Sequence, residues 1–298
     1  MEIILLLIMS LFGAVFSPCF IAGFNFNFLR IAPSSPALAK LQLWFIAVAV
    51  QGASWGICSV LCYYSLRKLN LNNASLSQIL VQAVLPTLVL TGILTLQMKA
   101  SNGNSGFAVG KIAGIERVGV PVFVTCGILL AMVSVLGMYL VRLELVTEKP
   151  NIEIYLDLLS QANTFMSIAA LVLSLGTLGT AVLRAAINAE KSTDYFPAEY
   201  VISYGAVFAL LLAIAYVPIK ASFWITGTAM VQNMVQTPPQ SAEELAKWLD
   251  NTSKLREAFH LDLTSSSALI GPVSALLPLL SGWIAVLLSG KPEGPGQP

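Results

Sequence analysis

The residues best suited to chemistry lie on one face of a long apolar segment, residues 163–188. Alternating steps of four and three residues trace one side of an α-helix. Read at those steps, the segment gives Asn163, Ser167, Ala170, Ser174, Thr177, Ala181, Arg184 and Asn188. We call such a line of small or polar residues a polar seam. Its amides and hydroxyls are mostly neutral, so it could line a water path or pack against another helix.

Three further apolar segments carry polar positions at helical spacing. They contribute Gln51 and Ser54, then Gln78 and Gln82, and finally Gly271, Ser274 and Ser281. Small residues are common where membrane helices touch, so packing is the more frequent role of any one seam. The candidate positions for a pore or a helix-packing seam are Gln51, Ser54, Gln78, Gln82, Asn163, Ser167, Ser174, Thr177, Gly271, Ser274 and Ser281.

The residue types needed for catalysis are scarce. The chain has a single histidine, His260, and no paired aspartates inside the apolar segments. Zinc catalysis needs several clustered ligands, and haem ligation by two histidines needs a second one. The four cysteines lie in apolar runs, where a buried side chain is the ordinary role. We therefore expect no enzyme, no catalytic residue, no metal site and no cofactor.

Composition places the chain in the membrane. Of its 298 residues, 56% are hydrophobic and 10% are charged, whereas soluble domains are about 45–50% apolar and about 25% charged. No basic block suggests nucleic acid as a partner. The partners expected are the lipid bilayer and either a second copy of the chain or other subunits of a membrane complex.

The predicted fold is all-α: a polytopic integral membrane helical bundle of about seven transmembrane helices, with six to eight possible, plus one amphipathic surface helix. Residues 1–235 form a six-span bundle, residues 236–267 the extramembrane helix, residues 268–290 the seventh span, and residues 291–298 a disordered tail. The first six spans lie near 3–24, 42–66, 76–98, 118–141, 163–188 and 200–217, the last with a possible extension to 235.

The extramembrane helix is predicted over residues 241–260. Ser241 and Glu244 have the spacing of a capping box at a helix start. Its apolar face predicts docking on the membrane interface or on another helix, through Leu245, Trp248, Leu255 and Phe259. His260 falls near the helix end, where a histidine favours the helix dipole.

The sequence indicates the orientation in the membrane and a general class of function. Lys and Arg divide equally between the two sides of seven spans, but Arg30 and Lys40 follow the first span while no basic residue precedes it. This local bias places the N-terminus outside and the C-terminus in the cytoplasm, in a plasma or inner membrane. We expect a channel or transporter-like protein passing ions or small polar solutes. The alternative is a non-transporting signalling, scaffold or effector subunit that acts through its extramembrane helix and a partner.

Overall fold

The computed structural model describes residues 36–90, 119–148, 150–191, 197–235, 242–261 and 266–288. Within these ranges all regular structure is helical. The helices are α1 (Pro36–Lys68), α2 (Leu76–Leu90), α3 (Gly119–Thr147), α4 (Ile152–Lys191), α5 (Ala198–Met234), α6 (Ala242–Ala258) and α7 (Ser266–Leu288). The predicted first span and the predicted disordered tail lie outside the described residues.

Four helices are long and apolar enough to cross a membrane. The qualifying segments are Ile46–Lys68, Cys126–Thr147, Ile152–Ala185 and Ala198–Met234, and shorter apolar helices occupy Leu76–Leu90 and Gly271–Ile284. A hydrocarbon core of about 30 Å needs about 20 helical residues. The described residues therefore support a helical membrane protein with four candidate spans, and the count of seven stays a prediction.

Helix α4 lies at the centre of the bundle and packs against α1, α3, α5 and α7. It is 40 residues long and rich in leucine and alanine, which favour helix formation. Phe165, Met166 and Ala169 are fully buried on it. A Cβ atom on Gly137 of α3 would lie 2.5 Å from the Phe165 ring, so the missing side chain is what lets α3 approach α4 this closely.

The connection before α4 is shorter than the sequence predicts. The predicted spans end near 141 and begin again near 163, but α3 continues to Thr147 and α4 already begins at Ile152. Leu143, Leu145 and Leu158 are buried in this region. The burial of these leucines holds the backbone in the bundle. The described charged side chains between them lie at the end of the bundle.

Prolines inside α5 and α2 have different effects on the local backbone. Helix α5 runs through Pro218 as one helix of 37 residues, in agreement with the extension to 235 that the sequence left possible. In α2 a π-helical turn, Leu80–Val84, comes just before Pro86, and the backbone N–H of Leu85 donates to the Leu80 carbonyl five residues back. Proline lacks the N–H for a regular bond and clashes with the preceding turn, so a wider turn accommodates its ring.

A contact between the residues after α1 and the end of α3 marks one end of the bundle. The backbone N–H of Asn70, after α1, donates to the Glu144 carboxylate near the end of α3, with an N–O distance of 3.0 Å. Glu148, Asn151 and the C-terminal end of α6 lie at this same end, which we call the Asn70 end. Helices α1, α3 and α5 run towards it, and α2, α4 and α7 run away from it.

Candidate functional site

The α1 seam meets α4 through Gln51. This side chain is buried and lies over Gly176 and Gly179, where added Cβ atoms would be 3.7 Å from Nε2 and 2.9 Å from Oε1 of Gln51. Ser54, one turn further along, is half-buried and donates to the Val50 carbonyl of its own helix at 2.9 Å. The glutamine amide therefore fills the space that the two glycines leave.

The α4 seam also meets α7 and α5. Thr177 is 1% exposed, donates to the Leu173 carbonyl at 2.9 Å, and lies with its methyl group beside Gly282. Ser174 is 6% exposed, and its hydroxyl has no partner among the described residues. Ser274 is buried on α7. In this part of the bundle the seams pack against each other.

Two further α7 positions border the same contacts. Gly271 is buried directly against the Tyr216 ring of α5, with no room for a Cβ atom. Ser281 is half-buried and lies about two turns before the end of α7. The polar face of α7 is therefore mainly enclosed by protein, while its exposed residues, such as Leu277 and Trp283, are large and apolar.

The other half of the α4 seam lies in different surroundings. Ser167, a candidate position of the same seam, is exposed. Asn163 is half-buried, and its Oδ1 accepts a hydrogen bond from the Tyr216 hydroxyl at 3.1 Å. Ser167 is exposed because a gap separates α1 from α4 at this level. The α4 seam is therefore packed at Ser174 and Thr177 and open at Ser167.

The predicted α2 seam is not assembled in the structure. Gln78 is exposed and belongs to an N-terminal capping box: Ser75 Oγ accepts from the Gln78 N–H, and Gln78 Oε1 accepts from the Ser75 N–H. Gln82 is half-buried inside the π-helical turn. The spacing of Ser75 and Gln78, taken as a seam, is that of a helix start.

The gap beside Asn163 is a groove between α1 and α4 with a volume of about 680 Å³. Ligand pockets commonly have volumes of about 300–1,000 Å³. We call it the α1–α4 groove. Its lining residues are Ser54, Ile57, Cys58, Leu61, Leu156, Leu159, Ser160, Asn163, Thr164, Ser167, Ile168, Leu171, Ala258 and His260. Membrane helices and the end of α6 therefore build one concave site.

The end of α6 is fastened to the bundle by aromatic residues. Tyr155 of α4 is fully buried, and its ring centroid lies 5.6 Å from that of Phe223 and 5.2 Å from that of Phe259. The Tyr155 hydroxyl lies 3.2 Å from the Phe223 carbonyl oxygen and 3.4 Å from that of Phe259. One side chain thus connects α4, α5 and the residue after α6.

The turn after α6 has the hydrogen bonds of a Schellman motif. The N–H of His260 donates to the Glu257 carbonyl and the N–H of Leu261 to the Arg256 carbonyl, both at 2.9 Å. His260 has φ 54°, a left-handed conformation that is common for glycine at this position. The motif directs Leu261 into the core and brings His260 to the rim of the groove.

The four residues of the α6 region that were predicted to dock differ in burial along the helix. Phe259 is buried, and Leu255 packs against the core while remaining half-exposed. Trp248 is half-exposed and Leu245 is exposed. Contact of the described residues with the bundle is therefore concentrated in the C-terminal part of this helix.

Sequence reasoning missed two polar contacts at the Asn70 end. Glu144 is buried at this end, and Arg184, near the opposite end of α4, is buried as well. Glu144 accepts from the Asn70 amide, and Arg142 Nε donates to Ser222 Oγ at 2.8 Å. The only available signal was that these charges interrupt an otherwise apolar pattern.

Together, the helices and their buried seams define a helical membrane protein. Within the described residues no three His, Cys, Asp or Glu side chains lie close enough to hold a metal ion. The chain matches no protein-family model, no curated protein and no solved structure.

Proposed function

We propose that this protein is a non-enzymatic membrane sensor or effector subunit that acts through α6. One observation carries the proposal: Ala258 and His260 border the α1–α4 groove, and their neighbours Phe259 and Leu261 fasten α6 to the bundle. Occupation of the groove would act on the same short turn that holds α6. A ligand shifts such an equilibrium only through unequal affinity for the two arrangements, and contact with Ala258 and His260 offers that difference.

Passage of ions or small polar solutes has less support from the described residues. A water path would need exposed polar groups along the seams. Gln51 and Thr177 instead pack against glycines, and Thr177 bonds its hydroxyl to its own helix. The proposal therefore favours the non-transporting alternative over the channel or transporter expected first.

The finer architecture belongs to the same proposal. It comprises seven spans, assembly as a homo-oligomer or within a membrane complex, and insertion in a plasma or inner membrane with the N-terminus outside and the C-terminus cytoplasmic. In that orientation α1 runs outwards, so the Asn70 end and α6 lie on the non-cytoplasmic side. The partner of α6 would then act there, through exposed residues such as Leu245 and Leu249.

Hydrogen exchange of α6 tests the coupling. Leu61 lines the groove and Leu88 is exposed on α2, outside it. We expect Leu61→Trp, which fills part of the groove, to change exchange of residues 245–258, and Leu88→Trp to leave it unchanged. Unchanged exchange in folded Leu61→Trp protein would overturn the proposal, as would flux of potassium or glycerol through purified protein in liposomes above that of empty liposomes.

A further inference from the structure

Several polar side chains that line the α1–α4 groove already make hydrogen bonds within the protein, and these bonds determine which of their atoms are left for a ligand. Thr164 and Ser54 donate to carbonyls of their own helices. Asn163 is different, because its Oδ1 accepts from Tyr216 on α5. That bond leaves the Asn163 amide NH₂, with two donors, available to a ligand in the groove it lines.

Two serines add hydrogen-bonding capacity beside Asn163. Ser160 and Ser167 are exposed on the groove side of α4, and their hydroxyls make no side-chain hydrogen bond within the described residues. Together with Asn163 they form a short polar row on the α4 wall. A ligand carrying carbonyl or hydroxyl oxygens near one end would match that row.

The groove lining bears on ligand charge. Its described lining contains no Lys, Arg, Asp or Glu. A charged headgroup placed beside Asn163 would lose its hydration with no Lys, Arg, Asp or Glu in the lining to offset its charge, and His260 lies at the rim of the groove. Burying an unpaired charge is far more costly than burying a hydrogen-bonded neutral group. The lining therefore favours an uncharged ligand over a phospholipid with an anionic headgroup.

The length of the groove and its apolar walls indicate the nature of the non-polar part of the ligand. On α4 it extends from Leu156 to Leu171, which at about 1.5 Å per residue is roughly 22 Å. One leaflet of a hydrocarbon core is about 15 Å thick, half of about 30 Å. Beyond the polar row the walls carry Ile57, Ile168 and Leu171. From Ser167 to Leu171 this apolar part covers roughly 6 Å along α4, so it accommodates the first carbons of one hydrocarbon chain, and the remainder of the chain lies in the surrounding bilayer.

We propose that the α1–α4 groove binds an uncharged glycerolipid of the diacylglycerol type. Its ester and hydroxyl oxygens accept from Asn163 and bond with Ser160 and Ser167, and one acyl chain lies along Ile57, Ile168 and Leu171. This inference deepens the proposed function, since it names the ligand class of the same site, but lipid binding itself does not depend on α6 acting as an effector.

Photolabelling of the full chain tests the proposal. Purified protein in phosphatidylcholine vesicles is mixed with diazirine-bearing diacylglycerol, or with phosphatidylglycerol or phosphatidylcholine carrying the same diazirine chain, and adducts are mapped by mass spectrometry. We expect diacylglycerol adducts on residues 54–61 and 159–171, in about tenfold higher yield than with either phospholipid, a difference of about 1.4 kcal/mol.

Matched serine variants locate the site. Ser167→Trp places bulk in the groove, whereas Ser203→Trp makes the same change at an exposed position of α5 outside it. We expect the first to abolish most groove adducts and the second to leave them unchanged. Asn163→Ala, a smaller change, should lower the diacylglycerol yield and leave the low phospholipid yield unaltered; size-exclusion profiles check that each variant is folded.

Several outcomes would overturn the inference. Equal labelling by all three probes would show non-selective lipid contact, and adducts unaffected by Ser167→Trp would place the lipid elsewhere. Crosslinking of Ser167→Cys to residues 1–35 or to a second copy, without lipid adducts, would show a protein occupant. Selective labelling with unchanged α6 exchange would retain the lipid site and reject the effector function; the converse would retain the function and reject this ligand.

Discussion

The hydroxyl of Tyr155 lies 3.4 Å from the carbonyl oxygen of Phe259, 104 residues further along the chain. Phe259 directly follows α6, and carbonyls at a helix end lack partners within the helix. Tyr155 therefore supplies a hydrogen bond that the helix end itself cannot. The same hydroxyl lies near the Phe223 carbonyl, so the contact joins three helical regions at one atom.

Tyr155→Phe tests this contact, because it removes the hydroxyl and retains the ring. We expect the end of α6 to lose about 1 kcal/mol of local stability, which is about a fivefold rise in hydrogen exchange at residues 255–261. Tyr63→Phe makes the same change at an exposed tyrosine and should have no effect there. Equal exchange in the two variants would contradict the assigned bond.

His260→Gly should stabilise the turn after α6. The left-handed conformation at His260 costs about 1–2 kcal/mol for residues with a Cβ atom, and glycine avoids this cost. We expect slower exchange of the α6 amides and a higher midpoint of thermal unfolding. The control Ser253→Gly lies inside α6 at an exposed position, where glycine should destabilise by about 0.5 kcal/mol. A loss of stability in both variants would argue against the motif.

Leucine substitutions compare the packed and open parts of the α4 seam. Ser174→Leu forces extra volume into a buried contact and should cost about 1–3 kcal/mol, whereas Ser167→Leu at the exposed position should be tolerated. Ser174→Ala should be mild, since the hydroxyl has no described partner. The fraction of monodisperse protein after heating in detergent reports the difference. Equal tolerance of leucine at both positions would place the whole face towards lipid.

Two glycines should differ in their response to alanine. A Cβ atom on Gly205 would lie 2.5 Å from the Pro278 carbonyl oxygen, which is backbone and cannot move without shifting α7. Gly205→Ala should therefore cost about 2 kcal/mol in unfolding free energy. At Gly179 the opposing atom is the end of the flexible Gln51 side chain, so Gly179→Ala should cost less than about 1 kcal/mol. The reverse order in thermal stability would contradict these contacts.

Cysteine labelling tests the orientation. On a background with the four native cysteines replaced, Asn72→Cys lies in the exposed turn after α1, and Lys40→Cys lies near its beginning. We expect an impermeant maleimide to label Asn72→Cys from outside intact cells and Lys40→Cys only after the membrane is opened. The opposite pattern would reverse the orientation and place α6 on the cytoplasmic side.

Periodicity predicted part of the site because burial of a helix face repeats with the helix. Ser174 and Thr177 are buried as the α4 pattern indicates. Ser167 has the same spacing, but its exposure depends on the gap between α1 and α4, which the α4 sequence does not encode. The tyrosine contacts were missed for a similar reason: Tyr155 and Tyr216 carry no sign of partners that are distant along the chain. Gln78 belongs to a capping box with Ser75, and its spacing of three from Ser75 is also found along one face of a helix.

The π-helical turn at Leu80–Val84 bears on how α2 can change in length. Such a turn is an α-helix that contains one additional residue. Deleting one residue there would restore regular hydrogen bonding and leave Thr87 and the residues after it facing nearly as before, because the wider turn takes five residues where a regular helix takes four. A homologous chain without the proline at position 86 could lose that residue. Its alignment with this chain would then contain a single-residue gap inside an apolar helix, rather than in a loop.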